Sequence, residues 1–218
     1  MDEPFNDIAI RMLACLVEKE NTTPDYYPLT LNSLTAACNQ KSNRNPVVSY
    51  DEATVERELE ELRRRGLVQT IHMAGSRTAK YRHSFMEEFR LIPREAAVLC
   101  ELMLRGPQTM GEIRTHAGRM YGFRDLEEVA ETLNDLMERE QPLALKLGRQ
   151  PGQKEERYMH LLGGTPEIQE SGQAVETAAK HVHGESVRIA KLEEEVSAIR
   201  QELETLKKLF EEFRSQFN

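Results

Sequence analysis

The sequence contains no long apolar run. A helix that crosses a membrane needs about 18 or more consecutive, mostly apolar residues, and no stretch of the 218 residues approaches this. The chain also opens Met-Asp-Glu-Pro, without the basic and then apolar segments that direct secretion. These absences argue against a membrane protein or a secreted protein and predict a cytoplasmic one.

Cysteine is scarce. Only three cysteines are present, Cys15, Cys38 and Cys100, and they lie far apart. An odd number of widely spaced cysteines does not suggest a disulfide framework, and a zinc site needs clustered ligands. Cys15 and Cys100 fall among apolar helical positions, so we predict buried, reduced thiols in a reducing cytosol and no metal site.

The motifs of common catalytic sites are missing as well. The sequence has no glycine-rich phosphate loop, no nucleophile elbow and no metal-binding histidine pair on a helix. His181 and His183 would point about 200° apart on a helix, so they cannot chelate one ion together. No nucleophile is paired with a candidate base. We therefore predict that the protein is not an enzyme and has no catalytic residues, cofactor or metal.

The chain also lacks an excess of positive charge. Its net charge is −8, from 29 basic and 37 acidic side chains. The balance is −2 for residues 1–90 (12 basic, 14 acidic), −2 for 91–164 (10 and 12) and −4 for 165–218 (7 and 11). Nucleic-acid-binding domains usually carry a basic patch or stripe. The charge therefore argues against a protein that coats nucleic acid.

The first 90 residues contain three amphipathic helices followed by two strands. The first helix repeats apolar residues at helical spacing, and Pro24 and Pro28 end it. We predict that the third helix begins at a capping box formed by Ser49 and Glu52 and ends at Gly66. The predicted segments are 6–20, 30–38, 49–66, 67–73 and 78–85.

The same order of elements returns in the second part of the chain. The predicted segments are a helix from Pro93, a helix capped by Thr109 and Glu112, a helix from Asp125, and strands over 143–147 and 157–162. The third helices of the two copies match at a constant offset of 74 residues: 51 to 125, 55 to 129, 59 to 133 and 62 to 136. A fixed offset over four pattern positions indicates an internal repeat.

Three helices followed by a hairpin is the order of a winged helix. We therefore predict a mainly α fold with small β-hairpins (α+β), built from two tandem winged-helix domains over 1–90 and 91–164. A linker with partial helix, 165–186, and a coiled-coil helix, 187–218, complete the predicted organisation.

Winged helices most often present the third helix to DNA, and the first domain has cations that could converge on a duplex. They precede the third helix, lie along it or lie on the hairpin: Lys41, Arg44, Arg57, Arg64, Arg77, Lys80 and Arg82. The alternative is that Arg57 and Arg64 neutralise neighbouring glutamates on a solvated helix face. The residues alone leave both interpretations open.

The third helix of the second domain is a poorer candidate for DNA. Its outward positions are acidic, with Arg139 as the one basic residue against Glu127, Glu128, Glu131, Asp135 and Glu138. Acidic side chains repel phosphate, whereas binding to DNA gains free energy when Lys or Arg displaces counterions. The pattern favours packing or protein contact for this helix.

Residues 22–46 stand apart, because they combine tyrosines, prolines and many amide side chains between apolar helices. The run reads TTPDYYPLTLNSL and then, after two residues, ACNQKSNRNP. It closely resembles the YceH-like family of uncharacterised bacterial proteins, and the likeness covers roughly residues 6–164. The resemblance implies tandem winged helices and a cytosolic bacterial setting. It implies no activity, and no functional residue is carried over from it.

The C-terminal segment has a strict heptad pattern. Apolar residues step alternately by 3 and 4 at Ile189, Leu192, Val196, Ile199, Leu203 and Leu206, and continue through Phe210, Phe213 and Phe217. β-Branched residues at the first a positions and leucine at d favour a parallel two-stranded coiled coil, and hence a homodimer. The alternative is a helix that folds back onto its own winged domains in a monomer.

Two functions remain open. The leading hypothesis is a dimeric, DNA-associated regulatory protein that contacts double-stranded DNA through the first domain and its hairpin. The competing hypothesis is a protein-interaction scaffold whose winged helices bind a protein partner. The charge balance favours the second, and the usual role of winged helices favours the first.

Overall fold

The computed structural model describes residues 4–72, 78–148 and 155–164. These residues contain seven α-helices and two small antiparallel sheets, which confirms the predicted α+β class. They fall within one compact unit, Met1–Pro166. The predictions made for 165–186 and 187–218 lie outside the described residues.

The first half runs helix, strand, helix, helix, strand, strand, helix. Its elements are α1 (Asp7–Thr22), β1 (Leu29–Thr30), α2 (Leu31–Cys38), α3 (Glu52–Arg64), β2 (Val68–Ile71), β3 (Lys80–His83) and α4 (Phe85–Glu88). A 3₁₀ turn, Pro24–Tyr26, stands between α1 and β1. The strands form an antiparallel sheet in the order β1–β3–β2. Strand β3 ends before the predicted limit of 85, because the chain turns into α4 there.

The second half repeats three helices and a hairpin. Its elements are α5 (Pro93–Arg105), α6 (Met110–Ala117), α7 (Leu126–Met137), β4 (Ala144–Leu147) and β5 (Arg157–His160). The predicted capping box of α6 is confirmed, since Thr109 Oγ1 accepts from the Glu112 N–H and the Glu112 carboxylate accepts from the Thr109 N–H. Strands β4 and β5 pair antiparallel, as a hairpin does.

Helix α3 begins at a cap other than the predicted one. Asp51 accepts a hydrogen bond from the Thr54 N–H at 2.7 Å, so the predicted capping box of Ser49 and Glu52 is wrong. Aspartate caps a helix as well as serine does. Glu52 is the first helical residue, and its carboxylate accepts from the Asn32 side chain at 2.9 Å.

The two halves agree at equivalent positions. Asp51 caps α3 and Asp125 caps α7, at the predicted offset of 74 residues. Leu59 and Leu133, which that offset aligns, are 1% and 0% exposed. The structure therefore bears out the alignment of the third helices.

The agreement extends to the shorter elements. Thr30 caps α2 and Thr109 caps α6, and both helices have eight residues. The residue before each threonine pairs with the last strand of its own hairpin, Leu29 with Tyr81 and Gln108 with Tyr158. Each half thus ties the start of its second helix to its own sheet.

Helices α1 and α5 form the centre of the molecule. Ten consecutive residues of each, Ala9–Glu18 and Glu95–Leu104, are buried, whereas a surface helix buries only one face. The two helices touch directly, since Cys100 Sγ donates to the Ala14 carbonyl oxygen at 3.2 Å. The halves consequently share one apolar core across α1 and α5.

Candidate interaction surfaces

Helix α3 turns its apolar residues inward and its charged residues outward. Val55, Leu59 and Leu62 are buried, as their spacing predicts. The helix carries five glutamates and three arginines, a net charge of −2. The surface of the first half that was predicted to contact DNA is therefore acidic along α3, its central helix.

Two of the three arginines on α3 pair with glutamates of the same helix. Arg63 Nη1 lies 2.7 Å from Glu60 Oε1, and Arg64 contacts Glu61, both at i, i+3 spacing. Arg57 makes no ion pair within 4 Å among the described residues. The Thr54 N–H, and more weakly the charge of Arg57, hold the pKa of Asp51 below its usual range. Arg57 is thus the α3 cation most available to an outside anion.

The hairpin contributes Lys80 and Arg82 on β3. Arg82 Nη2 lies 3.2 Å from Glu87 Oε1, so the acidic helix α4 neutralises it. Lys80 is half-buried and pairs in register with Ile71 of β2. The third predicted residue of the hairpin, Arg77, lies outside the described residues.

The segment before α3 holds one exposed cation and one buried one. Lys41 is exposed. Arg44 is not: its side chain is 0% exposed, with Nη1 3.1 Å from Glu18 Oε1 and Nη2 2.5 Å from Glu18 Oε2. The prediction that Arg44 lies on a contact surface is wrong, because a buried carboxylate on α1 requires a buried cation beside it.

Helix α7 is more acidic than α3. It carries four acidic residues and no basic one, a net charge of −4. Arg94 of α5 lies 2.7 Å from Asp135, and Arg124 lies 3.3 Å from Glu128. Glu127 and Glu131 are exposed and make no ion pair within 4 Å among the described residues. The helix thus presents uncompensated negative charge to solvent.

A buried ionic network lies where the two halves meet. It consists of carboxylates from the two central helices and guanidinium groups from the loops and helix end beside them. Arg119 Nη2 lies 2.6 Å from Glu18 Oε1 and 2.9 Å from Glu101 Oε1, so one guanidinium joins the two halves. Arg105 Nε donates to Glu101 Oε2 at 2.9 Å. Although burial opposes it, the hydrogen bonds and charge of Arg44 hold the pKa of Glu18 below its usual range.

The sequence analysis did not predict this network, although two residues in the sequence indicate it. Glu18 and Glu101 each stand inside an apolar stretch of a central helix and are 0% exposed. A carboxylate at a core position is rarely found without a paired cation. The sequence therefore indicates two buried ion pairs, but it does not indicate which of the 29 basic residues pair with Glu18 and Glu101.

The run that carries the family resemblance has a structural role in its second part. The Asn45 N–H donates to the Leu104 carbonyl oxygen at 2.9 Å, and the Arg105 Nη2 donates to Asn43 Oδ1 at 2.6 Å. Arg11 Nη2 donates to the Pro46 carbonyl oxygen at 2.8 Å. The loop between α2 and α3 is therefore fastened to both central helices.

The three cysteines are all buried and free, which confirms the prediction of buried thiols. Burial raises the pKa of Cys100 well above its usual range. Arg44 Nη2 lies 3.5 Å from Cys15 Sγ, inside the ionic network. Within the described residues, no group of three or more His, Cys, Asp or Glu side chains is placed to hold a metal ion.

The described part of the chain also includes no helix that combines the length and the apolar character needed to span a bilayer. A shallow groove of about 340 Å³ lies beside the end of α1 and the outward face of α2. Lys19, Tyr26 and Gln40 line part of it. Its walls mix polar and apolar groups, without a cluster that points to one chemistry.

The chain matches a family of uncharacterised proteins. A profile described as "Protein of unknown function, DUF480" matches residues 5–153. A UPF0502 protein of Geobacter metallireducens is 54% identical over 219 residues, and one of Geotalea uraniireducens is 51% identical over 219 residues. A third, from Geobacter sulfurreducens, is 49% identical over 219 residues. Each alignment covers 100% of this chain and 100% of the relative, and none of these names states an activity.

Proposed function

The chain belongs to the DUF480 family of uncharacterised proteins, as the YceH-like resemblance predicts, and from that premise we propose that it is a protein-interaction scaffold. In this proposal the two halves are winged helices that bind a protein partner through their third helices. The protein has no catalytic activity of its own and works in the cytoplasm.

The winged-helix part of the proposal is supported by the order and pairing of the elements. Each half has three helices followed by a hairpin, with the second helix capped by threonine and the third by aspartate. In the first half β1 pairs with β3 at the edge of the hairpin sheet. The third helix of each half is then the element that a winged helix offers to a partner.

The observation that carries the proposal is the charge of those third helices. Helix α3 has a net charge of −2 and α7 of −4. Their charged residues lie outward except Glu128, which was predicted to be outward but is 5% exposed because Tyr121 and Arg124 donate hydrogen bonds to it. DNA binding depends on cations that replace condensed counterions on phosphates. Of the seven cations considered for DNA, Arg44 is buried, while Arg64 and Arg82 are already paired with glutamates.

The same charges indicate the chemistry of the partner. Uncompensated carboxylates, Glu127 and Glu131 above all, attract a surface rich in lysine or arginine and repel an acidic one. Charge complementarity of this kind speeds association and selects against wrong partners. We therefore infer a basic protein segment as the partner of α7.

A DNA-associated regulatory role is the second candidate, and one observation favours it. Lys41, Arg57 and Lys80 make no ion pair within 4 Å among the described residues, and Lys41 and Arg57 are exposed. These three cations come from the loop before α3, from α3 itself and from the hairpin. Those are the places from which a winged helix contacts a duplex.

The proposed scaffold is a homodimer through the heptad segment 187–218, which lies outside the described residues. Two copies joined in this way present four winged helices, which raises the effective concentration of each binding site for a repeated partner. Light scattering of the full chain tests the dimer, with Leu203→Asp and Leu206→Asp together as the disrupting variant. We expect a dimer that this variant converts to a monomer; a monomeric unmodified chain contradicts the proposal.

Capture from bacterial lysate, with and without nuclease, tests the function. The full chain serves as bait beside the double variant Glu127→Lys/Glu131→Lys. The control is Glu88→Lys/Glu155→Lys, which changes the net charge equally at exposed positions outside α7. We expect a protein partner that withstands nuclease, is lost with the α7 variant and is kept by the control. Loss of all captured material on nuclease treatment would favour the DNA candidate instead.

A further inference from the structure

The ionic network at the junction of the two halves carries more positive than negative charge. Four cations, Lys19, Arg44, Arg105 and Arg119, contact only two carboxylates, Glu18 and Glu101. The cluster therefore has a net charge of +2, although the chain as a whole has −8. Excess charge in a partly buried place is costly unless an anion balances it.

Two of these cations, Arg105 and Arg119, are partly exposed to solvent and have N–H groups that make no hydrogen bond to a described residue. The side chains of Arg105 and Arg119 are 21% and 31% exposed. Their Nε and Nη2 groups are used within the network, but no described residue accepts from the Nη1 group of either. Both guanidinium groups contact the one carboxylate of Glu101, so the two groups are neighbours.

A histidine lies beside this network, linked to the Glu101 backbone through Gln108. Burial first, and then the charge of Arg105 and more weakly of Arg119, lower the pKa of His116, against the opposing charges of Glu101 and Glu112. Its Nδ1 lies 2.6 Å from Gln108 Oε1, while Gln108 Nε2 donates to the Glu101 carbonyl oxygen. That orientation of the amide makes Nδ1 the donor, so Nε2 is the atom that gains a proton.

We propose that Arg105, Arg119 and His116 form a binding site for a phosphate dianion at the junction of the two halves. A dianion balances the +2 charge of the network, and guanidinium groups suit phosphate because they offer paired N–H donors. The phosphate is either the free ion or the phosphate monoester of a small molecule. Bound there, it would bridge residues that hold the two halves together, since Arg119 contacts both central helices.

The side chain of His116 reports on the site directly. Its ring resonances are followed by NMR in the full chain while inorganic phosphate, methyl phosphate or sodium chloride of equal ionic strength is added. We expect saturable shifts with phosphate and a rise in the pKa of His116, because a bound anion favours the charged imidazolium. Tighter binding of methyl phosphate than of inorganic phosphate would identify a monoester as the ligand, and the reverse would identify the free ion.

Variants separate a site from a general salt effect. Arg105→Gln removes one donor group and should weaken phosphate binding about tenfold. Arg114→Gln removes the same charge from an exposed position on α6, where Arg114 donates to the Arg124 carbonyl oxygen, and should leave binding unchanged. Because Arg105 also contacts Glu101, circular dichroism must show that both variants are folded; if Arg105→Gln is not, Arg105→Lys takes its place and should weaken binding less. Shifts of His116 that are equal with phosphate and chloride, or that Arg114→Gln reduces as much as Arg105→Gln, overturn the proposal.

Discussion

Arginine–glutamate pairs occur in two regions of this molecule that differ in their access to water. At the junction, the side chains of Arg44 and Glu18 are both 0% exposed. On α3, those of Arg63 and Glu60 are 42% and 56% exposed. Water solvates and screens the second pair, whereas the buried charges of the first have only protein groups to replace water. The same residue types thus form a core network that Arg119 extends from Glu18 to Glu101 of the second half in one region, and cover a helix face in the other.

The difference also decides what each region offers to a partner. Surface pairs such as Arg63–Glu60 exchange readily with solvent and with incoming charges, since each is worth about 1 kcal/mol or less. Of the guanidinium donors described at the junction, only the Nη1 groups of Arg105 and Arg119 are left for a partner, because the other N–H groups of these side chains already contact protein acceptors. We therefore expect substitutions of the buried Arg44–Glu18 pair to act on stability, and those of exposed charges on the third helices to act on partner binding.

The largest effect is expected from Arg44→Met. It leaves the carboxylate of Glu18 without its closest cation in the core, and breaking a buried pair in this way costs about 3–5 kcal/mol. Arg63→Met on α3 should cost no more than about 1 kcal/mol. Urea unfolding followed by circular dichroism measures both.

The double variant Glu18→Gln/Arg44→Met is the control for this comparison. It removes both buried charges, so it should be more stable than Arg44→Met alone. Equal decreases in the free energy of unfolding for Arg44→Met and Arg63→Met would contradict the difference that the exposure of the two pairs predicts.

Slightly smaller decreases in the free energy of unfolding are expected from the buried faces of the third helices, and they should be similar in the two halves. Leu59→Ala and Leu133→Ala each remove a fully buried side chain at an equivalent position. Each should cost about 2–5 kcal/mol, from lost burial and the cavity left behind. A large difference between the two free energies of unfolding would mean that the halves are not packed equivalently.

Acid should weaken the junction. The pKa of Glu18 is lower in the folded state than its ordinary value of about 4.3. Its contribution to stability is therefore complete above that value and is lost as the pH falls through the folded pKa. Unfolding measured between about pH 7 and pH 3 should show a smaller acid-dependent loss in Glu18→Gln/Arg44→Met than in the unmodified chain. Leu59→Ala, destabilised elsewhere, should keep the full dependence.

The smallest effects concern the caps. Asp51→Ala and Asp125→Ala should each cost about 0.5–2 kcal/mol, because each leaves an N–H at the start of a third helix without its side-chain acceptor. Ser49→Ala should change the free energy of unfolding by less than about 0.5 kcal/mol, since Asp51 and not Ser49 caps α3. A cost for Ser49→Ala equal to that for Asp51→Ala would contradict the observed cap.

Most of the element order could be predicted from the sequence, because each helix has a local cap and a regular apolar face. Thr109 with Glu112 and the 74-residue spacing of Leu59 and Leu133 are signals of this kind. The cap of α3 was missed because Ser49 and Asp51 both lie within three residues of the helix start at Glu52, and spacing alone does not rank them.

Which cations are buried and which carboxylates they contact could not be predicted, because both depend on contacts between distant parts of the chain. Arg44 and Glu18 are 26 residues apart, and Arg119 and Glu18 are 101 apart. Lys41 and Arg44 look alike in the sequence, yet one is exposed and the other is buried. The packing of the loop between α2 and α3 against α1 decides which of them meets a core carboxylate, since Arg44 contacts Glu18 of α1 and the Ala37 carbonyl oxygen of α2.

The central claim, that the third helices serve protein contact and not DNA contact, is tested most directly by fluorescence anisotropy with pooled duplex DNA at about 50 mM salt. We expect no saturable binding by the full chain, because α3 and α7 carry net charges of −2 and −4. The contradicting result is saturable binding that weakens with salt at a log–log slope near −3.6, as about four phosphate contacts would give, and that is abolished by Arg57→Glu with Lys80→Glu.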